Sequence, residues 1–264
     1  MEWSYQILDN GVKLVWDSDW KNAQDIINNA KTMQEMKALD SDAINNKGIS
    51  SLWLMENAAR SVVDEVTEYI DGNGLPHRVT IVCGAGNNGG DGVACAYMLI
   101  DRGYRVKAYL CGRREKMTPD ELEMERRLID RGGVLVELFD GNATTDACII
   151  NNVDTSNGTD TPNGMDALRS DIEQSECCID ALFGVGISRD IASPYDKVIE
   201  IINESKYIVS CDIPSGVNGD TGKVMGISVR ADVTVTFSYV KKGLLTENIN
   251  ECCKSLVVVP IGLP

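Results

Sequence analysis

Three aspartates stand where a short apolar run gives way to a turn, and all are set to do acid–base or ion-binding work. The first, Asp91, closes the glycine-rich stretch Gly84-Ala85-Gly86-Asn87-Asn88-Gly89-Gly90-Asp91-Gly92. The second, Asp180, ends Cys177-Cys178-Ile179 and precedes Gly184-Val185-Gly186-Ile187-Ser188-Arg189-Asp190. The third, Asp212, ends Val209-Ser210-Cys211 and precedes Ile213-Pro214-Ser215-Gly216, where Pro214 and Gly216 force a tight turn that projects Ser215. In a parallel sheet the carboxyl ends of the strands form the ligand crevice, so the three acids are expected to face one opening.

Gly84, Gly86 and Gly89 satisfy the spacing of a dinucleotide fingerprint. Glycines let backbone approach phosphate there, and the following helix offers free N–H groups. The surroundings argue against hydride transfer. The next strand ends Leu110-Cys111-Gly112-Arg113-Arg114, without the carboxylate that would hold a ribose. Nor does a Lys-Ser/Thr pair follow the glycines, as a P-loop requires. Asn87, Asn88 and Asp91 can instead order the loop, ligate a cation through oxygen, or both. Asp180 either faces the crevice or caps its own turn. Asp212 suits proton transfer, because partial burial and a nearby carboxylate would raise its pKa. Ser215 has no base to activate it: the only histidine, His77, lies in a polar connector, which also excludes His triads and multi-His metal sites.

The elements that position these groups read as a βαβ series. Helical spacing covers Met33 to Ile44 and Ser50 or Ser51 to Ile70. Strands are expected at 79–83, 104–111, 134–139, 177–180, 207–211, 233–237 and 256–259, with helices at 93–101, 119–130 and 195–203. This alternation implies an α/β fold with a mostly parallel sheet covered on both faces and helices at its N-terminal side. Residues 1–32 read as an N-terminal extension, 33–264 as one domain, and the Asn/Thr/Asp/Gly-rich stretch 151–164 as an inserted exposed loop. The formal charge of −15 argues against nucleic-acid binding. No run nears the roughly 18 apolar residues of a membrane helix, and no signal peptide opens the chain, so a cytoplasmic protein is expected. Nine cysteines, without C-x-x-C spacing, read as buried small hydrophobes; Cys83, Cys95, Cys111, Cys148 and Cys211 are assigned to strand-like runs.

Several separated segments, in order, resemble the YjeF N-terminal domain family: 54–58 (LMENA), 86–92 (GNNGGDG), 180–186 (DALFGVG), 212–216 (DIPSG) and 231–237 (ADVTVTF), with Lys241 or Lys242 and Gly243-Leu244 after them. The resemblance runs from about Met33 to the C-terminus. It implies a Rossmann-like three-layer αβα sandwich, commonly a homodimer, that interconverts the R and S epimers of hydrated NADH and NADPH in nucleotide repair. Matched residue by residue, it implies that Asn87, Asn88, Gly89, Gly90 and Asp91 cradle the substrate. Gly184, Val185, Gly186, Ile187, Ser188, Arg189 and Asp190 would hold its phosphate. Asn88, Asp180 and Ser215 would hold K+, and Asp212 would contact the hydrated nicotinamide. Asp212 is the residue expected to carry the proton. The chain has no room for the dehydratase domain fused to some relatives, so epimerisation alone is expected. The rival expectation is a non-catalytic scaffold or dimerisation module on the same fold; retention of Asp91, Asp180 and Asp212 counts against it.

Overall fold

The computed structural model describes residues 3–139 and 164–263, so Cys148 and nearly all of the 151–164 stretch lie outside the described residues. The chain opens with strands β1 (Ser4–Ile7) and β2 (Lys13–Trp16) and helices α1 (Ala23–Asn28), α2 (Met33–Asn45) and α3 (Ser51–Gly72). Strand β3 (Arg78–Gly84), α4 (Asn87–Asp101), β4 (Arg105–Cys111), α5 (Pro119–Ile129) and β5 (Leu135–Glu137) follow. After them come α6 (Gly164–Gln174), β6 (Cys177–Ala181), α7 (Tyr195–Ile202), β7 (Ile208–Cys211), β8 (Ala231–Phe237) and β9 (Cys253–Val259).

One sheet runs in the order β1-β2-β9-β8-β7-β6-β3-β4-β5, parallel except for the β1–β2 pair. The expected α/β sandwich is thus present. Because side chains alternate across a strand, β3 sends Ile81 and Cys83 into the cluster under α3 and α4. Val82 goes into the opposite cluster, with Val198, Ile199 and Ile202 of α7. Helix α3 buries Leu54, Met55, Ala58, Ala59, Val62, Val63, Val66 and Ile70, one stripe at helical spacing, and Ser50 caps its start by accepting from the Trp53 N–H.

Three sequence expectations change. The helix after the glycine turn begins at Asn87, not Val93, so Asn87 to Gly92 form its first turns. Glycine disfavours helix by roughly 1 kcal/mol per residue, which makes the segment read as loop. Here the absent side chains allow contact that no other residue permits: a Cβ on Gly92 would stand 2.5 Å from the Ala181 Cβ. Cys95 lies in α4 rather than in a strand, while all eight described cysteines are buried. The N-terminal stretch adds two strands to the main sheet, β2 pairing with β9 from Lys13↔Ser255 to Trp16↔Val258. A small cluster holds it there: Leu14, Trp16 and Ile26 pack with Leu256 and Val258.

Candidate functional site

The strands that carry the polar turns are neighbours. In the sheet β8, β7, β6 and β3 lie side by side, and their carboxyl ends deliver Lys241, Asp212, the 184–190 turn and the glycine turn to one crevice. The chain runs outward in opposite directions from β3 and β6, the switch point where open α/β sheets bind ligands. The crevice measures about 1270 Å³, room for a ligand of nucleotide size or more. Asn87, Asn88, Gly89, Asp91, the whole 184–190 turn and Asp212 line it. Gly90 does not: it is packed under Met55, whose Cε would lie 2.5 Å from an added Cβ. Asp180 and Ser215 stand behind the wall, both fully buried.

Asp212 occupies a left-handed backbone conformation with φ 65°, uncommon outside glycine and found where surrounding structure holds it. Its N–H donates to the Val235 carbonyl at 2.8 Å. Its Oδ1 accepts from the Phe237 N–H at 3.1 Å and the Thr236 hydroxyl at 3.3 Å, and forms an ion pair with Lys241. Lys241 is fully buried, and its Nζ also donates to the Thr236 Oγ1 at 3.1 Å. A buried lysine stays charged only with such partners. Its backbone is clasped from the N-terminal side: the Lys31 N–H donates to the Val240 carbonyl at 2.8 Å, and the Lys242 N–H donates to the Lys31 carbonyl at 2.9 Å.

Asp180 accepts four hydrogen bonds: the hydroxyls of Ser210 (2.7 Å) and Ser215 (2.6 Å), and the N–H groups of Ser215 (2.9 Å) and Leu182 (3.3 Å). Burial raises its pKa, opposed by those bonds, Ser215's first. Among the described residues no Lys or Arg pairs with it. The buried Nδ2 of the Asn88 amide has no partner either, while the Ser215 Oγ accepts from the Phe183 N–H at 2.8 Å. A buried carboxylate with no basic partner, ringed by hydroxyl oxygens, fits a hard cation held by oxygen, whereas the unpartnered Asn88 Nδ2 is a donor and calls for an acceptor. The four bonds use up the acceptor sites of Asp180, so it would act chiefly through its charge.

The glycine turn is closed by the protein itself. Glu121, at the third position of α5 behind the Thr118 N-cap, sends Oε2 to the Gly86 N–H at 2.8 Å. Glu121 is fully buried, its Oε1 has no partner, and burial pushes its pKa up to about 7. The turn has no space for anything larger than glycine at 89, where a Cβ would sit 1.7 Å from the Gly84 carbonyl oxygen. The 184–190 turn is the opposite case: Ser188, Arg189 and Asp190 are exposed at the crevice rim.

Sequence reasoning assigned no role to Lys241, Glu121 or Asp40, and Asp40 of α2 lines the same crevice. Lys241 follows a buried strand end, as Asp180 and Asp212 do, which is a usable signal. Glu121 reads as an ordinary helix-start acid, and Asp40 as one acid among many on a polar helix.

Fold and crevice together define an α/β protein of Rossmann-like architecture with a nucleotide-sized site at the sheet's switch point. The chain belongs to the YjeF-related protein N-terminus family, whose model matches residues 51–243. It is 37% identical over 233 residues to the bifunctional NAD(P)H-hydrate repair enzyme Nnr of Thermofilum pendens, covering 88% of this chain but 40% of that one. It is 33% identical over 225 residues to the NAD(P)H-hydrate epimerase of Oenococcus oeni (85% of this chain, 92% of the relative). A third relative, the NAD(P)H-hydrate epimerase of Limosilactobacillus fermentum, is 35% identical over 220 residues (83% and 89%). A crystal structure of yeast YNL200c shares the fold, with a TM-score of 0.66, 21% identity and 87% coverage of both chains.

Proposed function

We propose that this chain epimerises the R and S forms of hydrated NADH and NADPH, with Asp212 as the acid–base residue. The observation that carries the reading is the Asp212–Lys241 pair at the foot of a nucleotide-sized crevice, in a chain whose relatives are named for this activity. Hydration of a dihydronicotinamide places a hydroxyl on a ring carbon beside the ring nitrogen. The nitrogen lone pair can expel that hydroxyl once it is protonated, leaving a planar iminium that water re-enters from either face. A positioned carboxylate makes and breaks the necessary O–H bonds. Lys241 fixes the Asp212 carboxylate in place.

The open 184–190 turn, with Arg189, suits the diphosphate; the glycine turn, its helix start already occupied by Glu121, suits the nicotinamide end. Asn88, through its amide oxygen, and Ser215 would hold K+ over the charge of Asp180, where it would neutralise that buried carboxylate. The reading extends to a homodimeric cytoplasmic enzyme whose catalytic domain takes in the N-terminal strands as well as residues 33–264. No helix among the described residues is long and apolar enough to cross a membrane.

The test mixes the protein with each separated epimer and follows interconversion by chromatography, with and without K+. A rate well above the spontaneous one is expected, falling by about 100-fold or more in Asp212→Asn. Asparagine tolerates the left-handed backbone, so this variant should fold. A folded wild-type chain with no rate above background would sink the reading, and full activity in Asp212→Asn would sink the assignment of Asp212.

A further inference from the structure

The crevice holds more acid than one proton-shuttling carboxylate requires. Asp91 enters from the first turn of α4 and Asp40 from α2, and both line the same space as Asp212 and Lys241. Among the described residues neither Asp91 nor Asp40 has a hydrogen-bond partner, whereas the one buried lysine is already bound to Asp212. Three carboxylates from three walls therefore share a crevice whose one fully buried ammonium group is already paired with Asp212, while Lys37 and Arg189 lie on the same lining with exposed side chains.

Resting on the epimerase reading, we propose that Asp91 is a second catalytic residue, meeting the ring hydroxyl from the α4 wall while Asp212 works from the β7 wall, and that Asp40 is a positioning residue acting through Asp91. Epimerisation makes the hydroxyl leave one face of a ring carbon and water arrive at the other, which calls for a donor on one side and an acceptor on the other. Asp91 gives its proton to the hydroxyl oxygen; the C–O bond breaks with its electron pair on that oxygen, and water departs. The ring nitrogen lone pair forms the C=N bond of the iminium. A water molecule on the other face then gives a proton to Asp212 as its oxygen bonds to the carbon, and the C=N pair returns to nitrogen. One proton has passed from Asp91 to Asp212, and the reverse turnover or exchange with solvent restores it.

The charges around Asp91 favour its role as donor. Burial pushes its pKa well above the usual carboxylate range, and Asp212, then Asp40, then Glu121 of α5 push the same way, with Lys241 opposing. Asp40 is itself raised by burial and by Asp212, with Lys241 opposing. Like charges crowded in a low-dielectric crevice cannot all ionise, so a proton is retained among them. The capping box of Thr32 and Glu35 sets the start of α2, and the Met33 N–H donates to Asp220 Oδ1 at 2.7 Å, which fixes the helix that carries Asp40.

The experiment measures kcat and KM for separated epimers across about pH 6 to 9, on the full chain with the spontaneous rate subtracted, for wild type, Asp91→Asn, Asp91→Glu and Asp40→Asn. Asp91→Asn is expected to lower kcat about 100-fold with KM changed less than about threefold, and Asp91→Glu to recover part of the loss. Asp40→Asn should keep KM and the plateau kcat while moving the alkaline limb to lower pH, cutting the rate near pH 8 by about threefold to tenfold. The shift follows because a neighbour that disfavours ionisation of Asp91 is gone. If Asp91→Asn fails to fold, the Asp40→Asn profile decides alone. An Asp91→Asn kcat within about threefold of wild type, or an Asp40→Asn profile that superimposes on wild type, overturns the proposal while leaving the epimerase reading standing. An inactive folded wild type overturns both.

Discussion

The turn after β3 and the turn after β6 start from adjacent strands, both are rich in glycine, and both line one crevice. In the first, the N–H at the helix start is already bound to Glu121, and Gly84, Gly89, Gly90 and Gly92 are there because backbone and side chains crowd them. In the second, no Cβ added at Gly186 would meet anything within 4 Å, and the rim ends in the exposed Ser188, Arg189 and Asp190. The first matches the dinucleotide fingerprint and the second does not, yet it is in the first that a backbone N–H is already committed to a carboxylate of the protein itself. Glycine spacing thus reports close approach of the backbone; what approaches it is decided by residues elsewhere in the chain.

The comparison breaks most visibly at Gly89. Gly89→Ala should cost more than about 3 kcal/mol in urea unfolding, since its methyl would collide with the Gly84 carbonyl oxygen, whereas Gly186→Ala should cost under about 1 kcal/mol. Equal effects would mean the first turn is not close-packed.

Glu121 supplies the next contrast. A carboxylate held near pKa 7 in the folded chain and near 4.5 unfolded binds its proton more tightly when folded. Stability is therefore full below pH 4.5, falls as pH rises from about 4.5 to 7, and stays low above. Glu121→Gln should remove that decline and gain on the order of 2–3 kcal/mol relative to wild type at pH 8 over pH 4, read from denaturation at both. A constant difference between the two proteins across this window would contradict a buried, proton-holding Glu121.

The smallest effect belongs to the open turn. Arg189→Ala should raise KM about tenfold, roughly 1.4 kcal/mol, with kcat and stability little changed, as expected when one exposed charge-assisted contact to phosphate is lost. A loss in kcat without a change in KM would move the phosphate elsewhere.

Much of this was legible in the chain. Strands apolar but for a single threonine, such as Val79 to Cys83, fit a sheet covered on both faces, and acids at strand ends point to the crevice side of a parallel sheet. Those two facts place Asp180, Asp212 and the glycine turn together. What escaped was anything decided across long separations. Asn87 to Gly92 carry no helical signal, because the helix start there is set by packing against Glu121, Met55 and Ala181. Lys241 looks like a surface lysine until the Lys31 clasp and the Asp212 carboxylate enclose it. The pairing of β2 with β9 leaves no local trace, since a four-residue strand at the sheet edge reads much like any short apolar run.

That edge pairing also bears on how the molecule is made. Lys13 finds its partner in Ser255, 242 positions later, so the N-terminal strands leave the ribosome long before β9 exists. Until then β2 presents unpaired backbone, a hazard for aggregation that short length limits. Contacts of such sequence separation slow folding, and they make docking of the hairpin a late event. Since Lys31 follows this hairpin and clasps the backbone around Lys241, assembly of the ion pair at Asp212 would wait until β9 has been made, leaving shorter nascent chains with part of the sheet but without a finished catalytic centre.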